Sequence, residues 1–185
     1  DWISSDEGIR LVVARGGSVT SDLSAGRVET IVAGNAIDAA ISVSELGRLI
    51  TARGGIRGTI TADHIGQIVS GGDLESEISV TRHMARVVVG GRMQGTDISV
   101  GAGGLNSVAV SGSVDECDLN VEGRLGSLFS GGDLHNTFID ASRLGRVTVR
   151  GGIGGDGNPD NDWIHAGEGG FLLRKGRRAA WIAPA

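Results

Sequence analysis

The feature that most constrains this chain is that it repeats itself. "GQIVSGGDLESEISVTRHM" begins at Gly66, and "GSLFSGGDLHNTFIDASRL" begins at Gly126, 60 residues later, with Ser-Gly-Gly-Asp-Leu at the same place in both. The intervening and flanking chain follows the same plan, as in "GRLITARGGIRGTITADHI" from Gly47 and "GRVETIVAGNAIDAAISVSEL" from Gly26. "IRLVVARGGSVTSDLSA" from Ile9 follows it more loosely, and the period is 19 to 21 residues. Each unit runs small residue, apolar pair, Gly-Gly or its equivalent, apolar residue, polar link, apolar-polar-apolar triplet, large aliphatic. One such unit cannot bury its apolar side alone, so the pattern predicts a solenoid in which stacking makes the core.

The triplets decide which solenoid. Ile41-Ser42-Val43, Ile60-Thr61-Ala62, Ile78-Ser79-Val80, Ile98-Ser99-Val100 and Leu119-Asn120-Val121 alternate with period two, the signature of a half-buried strand. No window sustains the i, i+3, i+4, i+7 spacing of a helix. The expectation is an all-β chain: a single-stranded parallel β-helix (β-solenoid) of about eight coils of 19–21 residues, with a C-terminal hairpin-like cap. Composition fits. Glycine supplies 33 of 185 residues, as corners with positive φ or close backbone approach require. The two prolines, Pro159 and Pro184, fall outside the repeats, where no ladder needs their missing N–H. Trp2, Trp163 and Trp181 also lie beyond the coils, where open ends need covering. The organisation read from this is residues 1–8 as an N-terminal cap or connector, 9–155 as repeats, and 156–185 as an acidic loop and basic hairpin cap.

Length and charge set further bounds. One elongating core accounts for 185 residues, and a net charge of −5 spread along the chain is no footprint for nucleic acid. No run of 18 apolar residues predicts a membrane span, and the first 20 residues do not form a signal peptide. One cysteine excludes an internal disulfide.

The "LGR-h-x-h-x-GG-h-x-G-x-I-x-A" rhythm over residues 9 to 155 resembles the glycine-rich β-solenoid repeats of large secreted or surface proteins of bacteria. More weakly, "GGIRGTITAD" resembles the repeats of bactofilins, bacterial cytoskeletal β-helices that polymerise end to end. The resemblance implies scaffolding or assembly, an extracellular or cell-surface setting, and no active-site residue.

Candidate chemical sites are few. Asp156, Asn158, Asp160 and Asp162 alternate in "DGNPDND", an oxygen-rich pattern suited to calcium, although the glycine and glutamate of an EF-hand loop are missing and turn chemistry selects the same residues. Glu45, His64 and His83 fall at one corner of successive coils, where zinc or nickel is one reading and a solvated ladder continuing as Gly104, Arg124 and Arg143 is the other. Cys117, in "DECDL", sits among three carboxylates that disfavour its thiolate, and reads as a turn residue in a unit one residue longer than its neighbours. "GGIGGDG" leads into Asn-Pro-Asp rather than a helix, so it reads as a corner and not a phosphate loop. Asp73 and Asp133 recur at the Gly-Gly corner three coils apart, too far to act as paired carboxylates. With insertions of about two residues, the repeats build no cleft, and no enzyme is expected.

Surfaces carry more. The outward triplet positions Ser42, Thr61, Ser79, Ser99, Asn120 and Asp140 predict a flat face of short polar groups. The other strand places Val69, Val88, Ala109 and Phe129 outward, an apolar stripe that a monomer has little reason to expose. Register slippage or a tail folded over it is the bland alternative. At the ends, Arg174, Lys175, Arg177 and Arg178 in "FLLRKGRRAAWI" give +4, against −2 for the first 24 residues. The expectation is a noncatalytic building block that associates with copies of itself sideways and head to tail, as a homo-oligomer or filament. The alternative is a β-helix module that binds or degrades carbohydrate, such as cell-surface polysaccharide.

Overall fold

The alternation of apolar and polar residues is realised as strands that pair in parallel with the coil before and the coil after. The computed structural model describes residues 2–51, 53–153, 163–168, 171–174 and 177–181. Among these, every element is β and the ladders from Trp2–Ser5 to Phe171–Arg174 are parallel, making a β-solenoid of about eight turns. Long strands run through corners without a break: Ile41–Thr51 contributes to two sides of its coil, and Ile56–Ser70 and Leu74–Val89 to all three.

Each coil has three sides. The triplet stacks as Ile41↔Ile60↔Ile78↔Ile98↔Leu119↔Ile139. The second strand, on the stripe side, stacks as Ile31↔Leu49↔Ile68↔Val87↔Val108↔Leu128↔Val147. A third, short side stacks Ile37↔Ile56↔Leu74↔Met93↔Val114↔Leu134. The closing aliphatics Leu46, Ile65, Met84, Leu105, Leu125 and Leu144 fill the corner between triplet and stripe strands. All of these side chains are buried. Like packs on like at every level, so burial of each side chain needs coils above and below it, at about 1.5–3 kcal/mol per large aliphatic. Along the stripe strand the register is unbroken from Ile31 to Val147, which removes slippage as an account of the stripe.

The Ser-Gly-Gly-Asp sequences are clamps at the corner between stripe strand and short side. Ser70 is buried and its hydroxyl donates to the Asp73 carbonyl at 2.8 Å, closing the turn on itself. Asp73 Oδ1 accepts from the Arg92 amide of the next coil at 2.7 Å. Ser130 repeats the first bond at 3.1 Å, and Asp133 accepts from the Gly152 amide. The glycines here are required by crowding rather than by positive φ: a Cβ on Gly131 would collide with the Ser111 carbonyl oxygen. Positive φ occurs at a different corner, in Gly95, Glu116 and Asn136, at 53°, 52° and 46°.

That second corner corrects the reading of Cys117. Its unit is not longer than both neighbours; Gln94-Gly95-Thr96 and His135-Asn136-Thr137 carry the same left-handed residue followed by a small donor. Ser76, Thr96, Cys117 and Thr137 are all buried, and they donate to the carbonyls of Ile56, Leu74, Met93 and Val114, one coil earlier. Cys117 stands in for threonine in an interior polar ladder.

At the ends, Phe171–Arg174 continues the stripe ladder beside Phe138–Val149, and Arg177–Trp181 returns antiparallel to it. At the other end, Trp2 pairs in register with Asp22 and is 65% exposed, rather than buried over an open end.

Candidate functional site

Two faces of the solenoid present organised rows outward, and both arise from the same alternation. On the stripe side, the outward row is Val13↔Val32↔Ile50↔Val69↔Val88↔Ala109↔Phe129↔Thr148. Val69, Val88, Ala109 and Phe129 therefore line up as expected, and the apolar run extends through Val13, Val32 and Ile50, which sequence reasoning missed. Those three lie in the first coils, where the corners read Ala-Arg-Gly-Gly, Ala-Gly-Asn-Ala and Thr-Ala-Arg-Gly. Val13 is 42% exposed; the other apolar members are half-buried, because each is shielded by its neighbours in the coils above and below. The Arg150 guanidinium lies over the Phe129 ring, 5.3 Å from its centre.

Beside the stripe runs a second outward row, Thr30↔Arg48↔Gln67↔Arg86↔Ser107↔Ser127↔Arg146. It contains no acid. The described tail strand extends this sheet at its end, with Phe171 in register with Arg146 and Leu173 with Thr148.

The triplet face is not flat. Its outward row Ser42↔Thr61↔Ser79↔Ser99↔Asn120↔Asp140 is in register as expected. One position earlier lies Thr59↔Glu77↔Asp97↔Asp118↔Phe138. Between the two rows is an open groove of about 590 Å³, lined by Glu77, Asp97, Asp118, Ser99, Asn120 and Asp140. Phe138, 46% exposed, stands at one end. The groove is open and lies on the strand face itself, with no long loop framing it. Three of the four coils that line the groove carry the extra left-handed residue, at Gly95, Glu116 and Asn136. His165 Nδ1 lies 2.7 Å from Asp140 Oδ1, at the end of this row.

Glu77, Asp97 and Asp118 stack on adjacent strands and are exposed. At about 4.8 Å per coil, such a row concentrates negative charge and costs stability unless something positive approaches. Among the described residues, neither these carboxylates nor Arg48, Arg86 and Arg146 form an ion pair.

Asp156, Asn158, Asp160, Asp162 and Lys175 lie outside the described residues. Arg174, Arg177 and Arg178 lie on the terminal antiparallel pair, with Arg174 opposite Arg177. Glu45, His64 and His83 stack in register, continuing to Gly104, but no group of three ligating side chains among the described residues is arranged to hold a metal ion. His83 Nδ1 is instead 3.0 Å from the Gly103 carbonyl oxygen, and Glu45 pairs with Arg27 at 3.6 Å. Asp73 and Asp133 are engaged as turn clamps. Burial, more than the nearby carboxylates, pushes the Cys117 thiol up to about 11. No helix among the described residues is long and apolar enough to cross a membrane.

Comparison with known proteins adds no relative: no protein-family model, curated protein or solved structure matches this chain.

Proposed function

We propose that this chain is a noncatalytic structural module, a β-solenoid rod that packs sideways against copies of itself in an extracellular or cell-surface assembly. The observation that carries the reading is the outward apolar row from Val13 to Phe129, unbroken over seven coils. Solvated sheet faces ordinarily alternate apolar in, polar out, as the triplet face does. A continuous apolar row on the outward side has its physical rationale in contact with another surface. The resemblance to glycine-rich bacterial surface repeats, and more weakly to bactofilins, points to the same class of role. End-to-end contacts complete the reading as a filament: unpaired strand edges template further pairing, and the basic end of Arg174, Lys175, Arg177 and Arg178 is opposite in sign to the acidic first 24 residues.

The test is the solution assembly state. Val88→Asp and Phe129→Asp each weaken association while the β signal in circular dichroism is retained, because both side chains face outward. Association equal to the parent's in both variants sinks the reading.

A second reading is favoured by the groove. Carboxylates, hydroxyls and an amide beside the exposed Phe138 are the groups that hold a sugar, by hydrogen bonds at its edge and stacking on its face. On this reading the chain is a carbohydrate-binding or carbohydrate-degrading module. Retardation in gels containing polysaccharide, lost in Phe138→Ala, supports it; unretarded migration through neutral and anionic polysaccharides counts against it.

A further inference from the structure

We infer that the lateral partner of the stripe face is the acidic groove of a second copy, so that rods pack stripe into groove in one repeating direction. The inference rests on the lateral-assembly reading and adds to it which surface receives the stripe. Its basis is that charge, spread along the sequence, is sorted around the circumference of the rod. The stripe and its flanking row carry Arg48, Arg86 and Arg146 and no carboxylate. The two rows lining the groove carry Glu77, Asp97, Asp118 and Asp140 and neither lysine nor arginine.

Stripe against stripe brings two arginine-bearing faces together, whereas stripe against groove matches opposite signs. Spacing matches as well. Arg48 and Arg86 are two coils apart, as are Glu77 and Asp118, and both intervals are about 10 Å at the strand spacing shared by every coil. The apolar stripe is a row one side chain wide along the rod, and the groove between the two polar rows runs in the same axial direction. Such a contact is heterologous: each copy offers the stripe on one side and the groove on another. It does not close on itself in a pair, so it yields rows of rods rather than two-fold dimers.

The experiment is sedimentation velocity at low salt on the parent and three double variants: Arg48→Glu with Arg86→Glu, Glu77→Lys with Asp118→Lys, and Val88→Asp with Phe129→Asp. Each charge-reversed protein alone is expected to dissociate, with a rise in dissociation constant on the order of tenfold or more. An equimolar mixture of the two reassociates, since the reversed face of each then meets a face of opposite sign on the other. All four charged positions are exposed, and a neutralised set (Arg48→Gln with Arg86→Gln, Glu77→Gln with Asp118→Asn) gives the same ordering with smaller shifts if a reversal disturbs folding. If Val88→Asp with Phe129→Asp dissociates while the groove variant associates like the parent, the inference is overturned and lateral assembly by another surface stands. If the parent itself is monomeric at high concentration, both fall. A monomeric parent retarded by a polysaccharide gel, with retardation lost in Glu77→Lys with Asp118→Lys, gives the groove to a glycan instead.

Discussion

The stripe face and the triplet face are built from one coil by one rule, yet they present opposite chemistry. Inward, they are nearly interchangeable: Ile68 and Ile78, Val87 and Ile98, Leu128 and Leu119 are all buried aliphatics in parallel stacks. Outward, one shows valines with arginines alongside, and the other shows serines with carboxylates alongside. Inward positions are dictated by the need to fill a narrow core at crystal-like density. Outward positions touch only their neighbours above and below, so many residue types satisfy them. The fold leaves these rows open to other demands, and it is there that the two faces diverge.

If the inward sides are equivalent, a buried charge has the same effect on either. Ile78→Asp and Val87→Asp each lose about 4 kcal/mol or more, a large share of the 5–15 kcal/mol typical of a domain, because each strands an unpaired carboxylate in the core. Denaturant melts followed by circular dichroism check this; tolerance of one but not the other would break the equivalence.

The two corners that bound the short side differ, and their chemistry is separable by pH. Cys117, at the corner before the triplet, holds its proton more tightly folded, at about 11, than unfolded, at about 9. Its contribution is complete below pH 9 and falls away as pH rises towards 11, by about 2–3 kcal/mol. Cys117→Thr keeps the donor and removes that alkaline loss, so stability curves of the two proteins converge at neutral pH and separate above pH 9. Parallel curves throughout would contradict the assignment of the thiol as a buried donor.

The corner leaving the stripe is held by carboxylate clamps. Asp73→Ala and Asp133→Ala each cost about 1 kcal/mol, additively, since they lie three coils apart. The smallest effect has the opposite sign. Glu116→Gly relieves a left-handed backbone that Gly95 adopts in the preceding coil, and raises stability by about 0.5–1 kcal/mol. A loss on that substitution would mean the Glu116 side chain makes a contact that outweighs its backbone cost.

The repeat, the strand alternation and the absence of helix were legible in the chain because inward residues obey a strict volume rule that leaves a periodic trace. The outward stripe at Val69, Val88, Ala109 and Phe129 followed from the same alternation. The groove did not, because Glu77, Asp97 and Asp118 precede their triplets in units of unequal length, and their alignment depends on where each extra residue is absorbed. Register shifts beside Ala62 and Val121 and the left-handed turns at Gly95, Glu116 and Asn136 take up those differences.

By itself, then, the sequence determined a parallel β-solenoid of about eight turns, since only stacking buries a 19–21-residue unit with one apolar side. The tertiary structure alone decided which charges stand together. Residues one coil apart are about 20 positions apart in sequence yet roughly 5 Å apart in space. A charge pattern that is featureless along the chain therefore becomes an apolar row flanked by arginines on one side of the rod and an acidic groove on another.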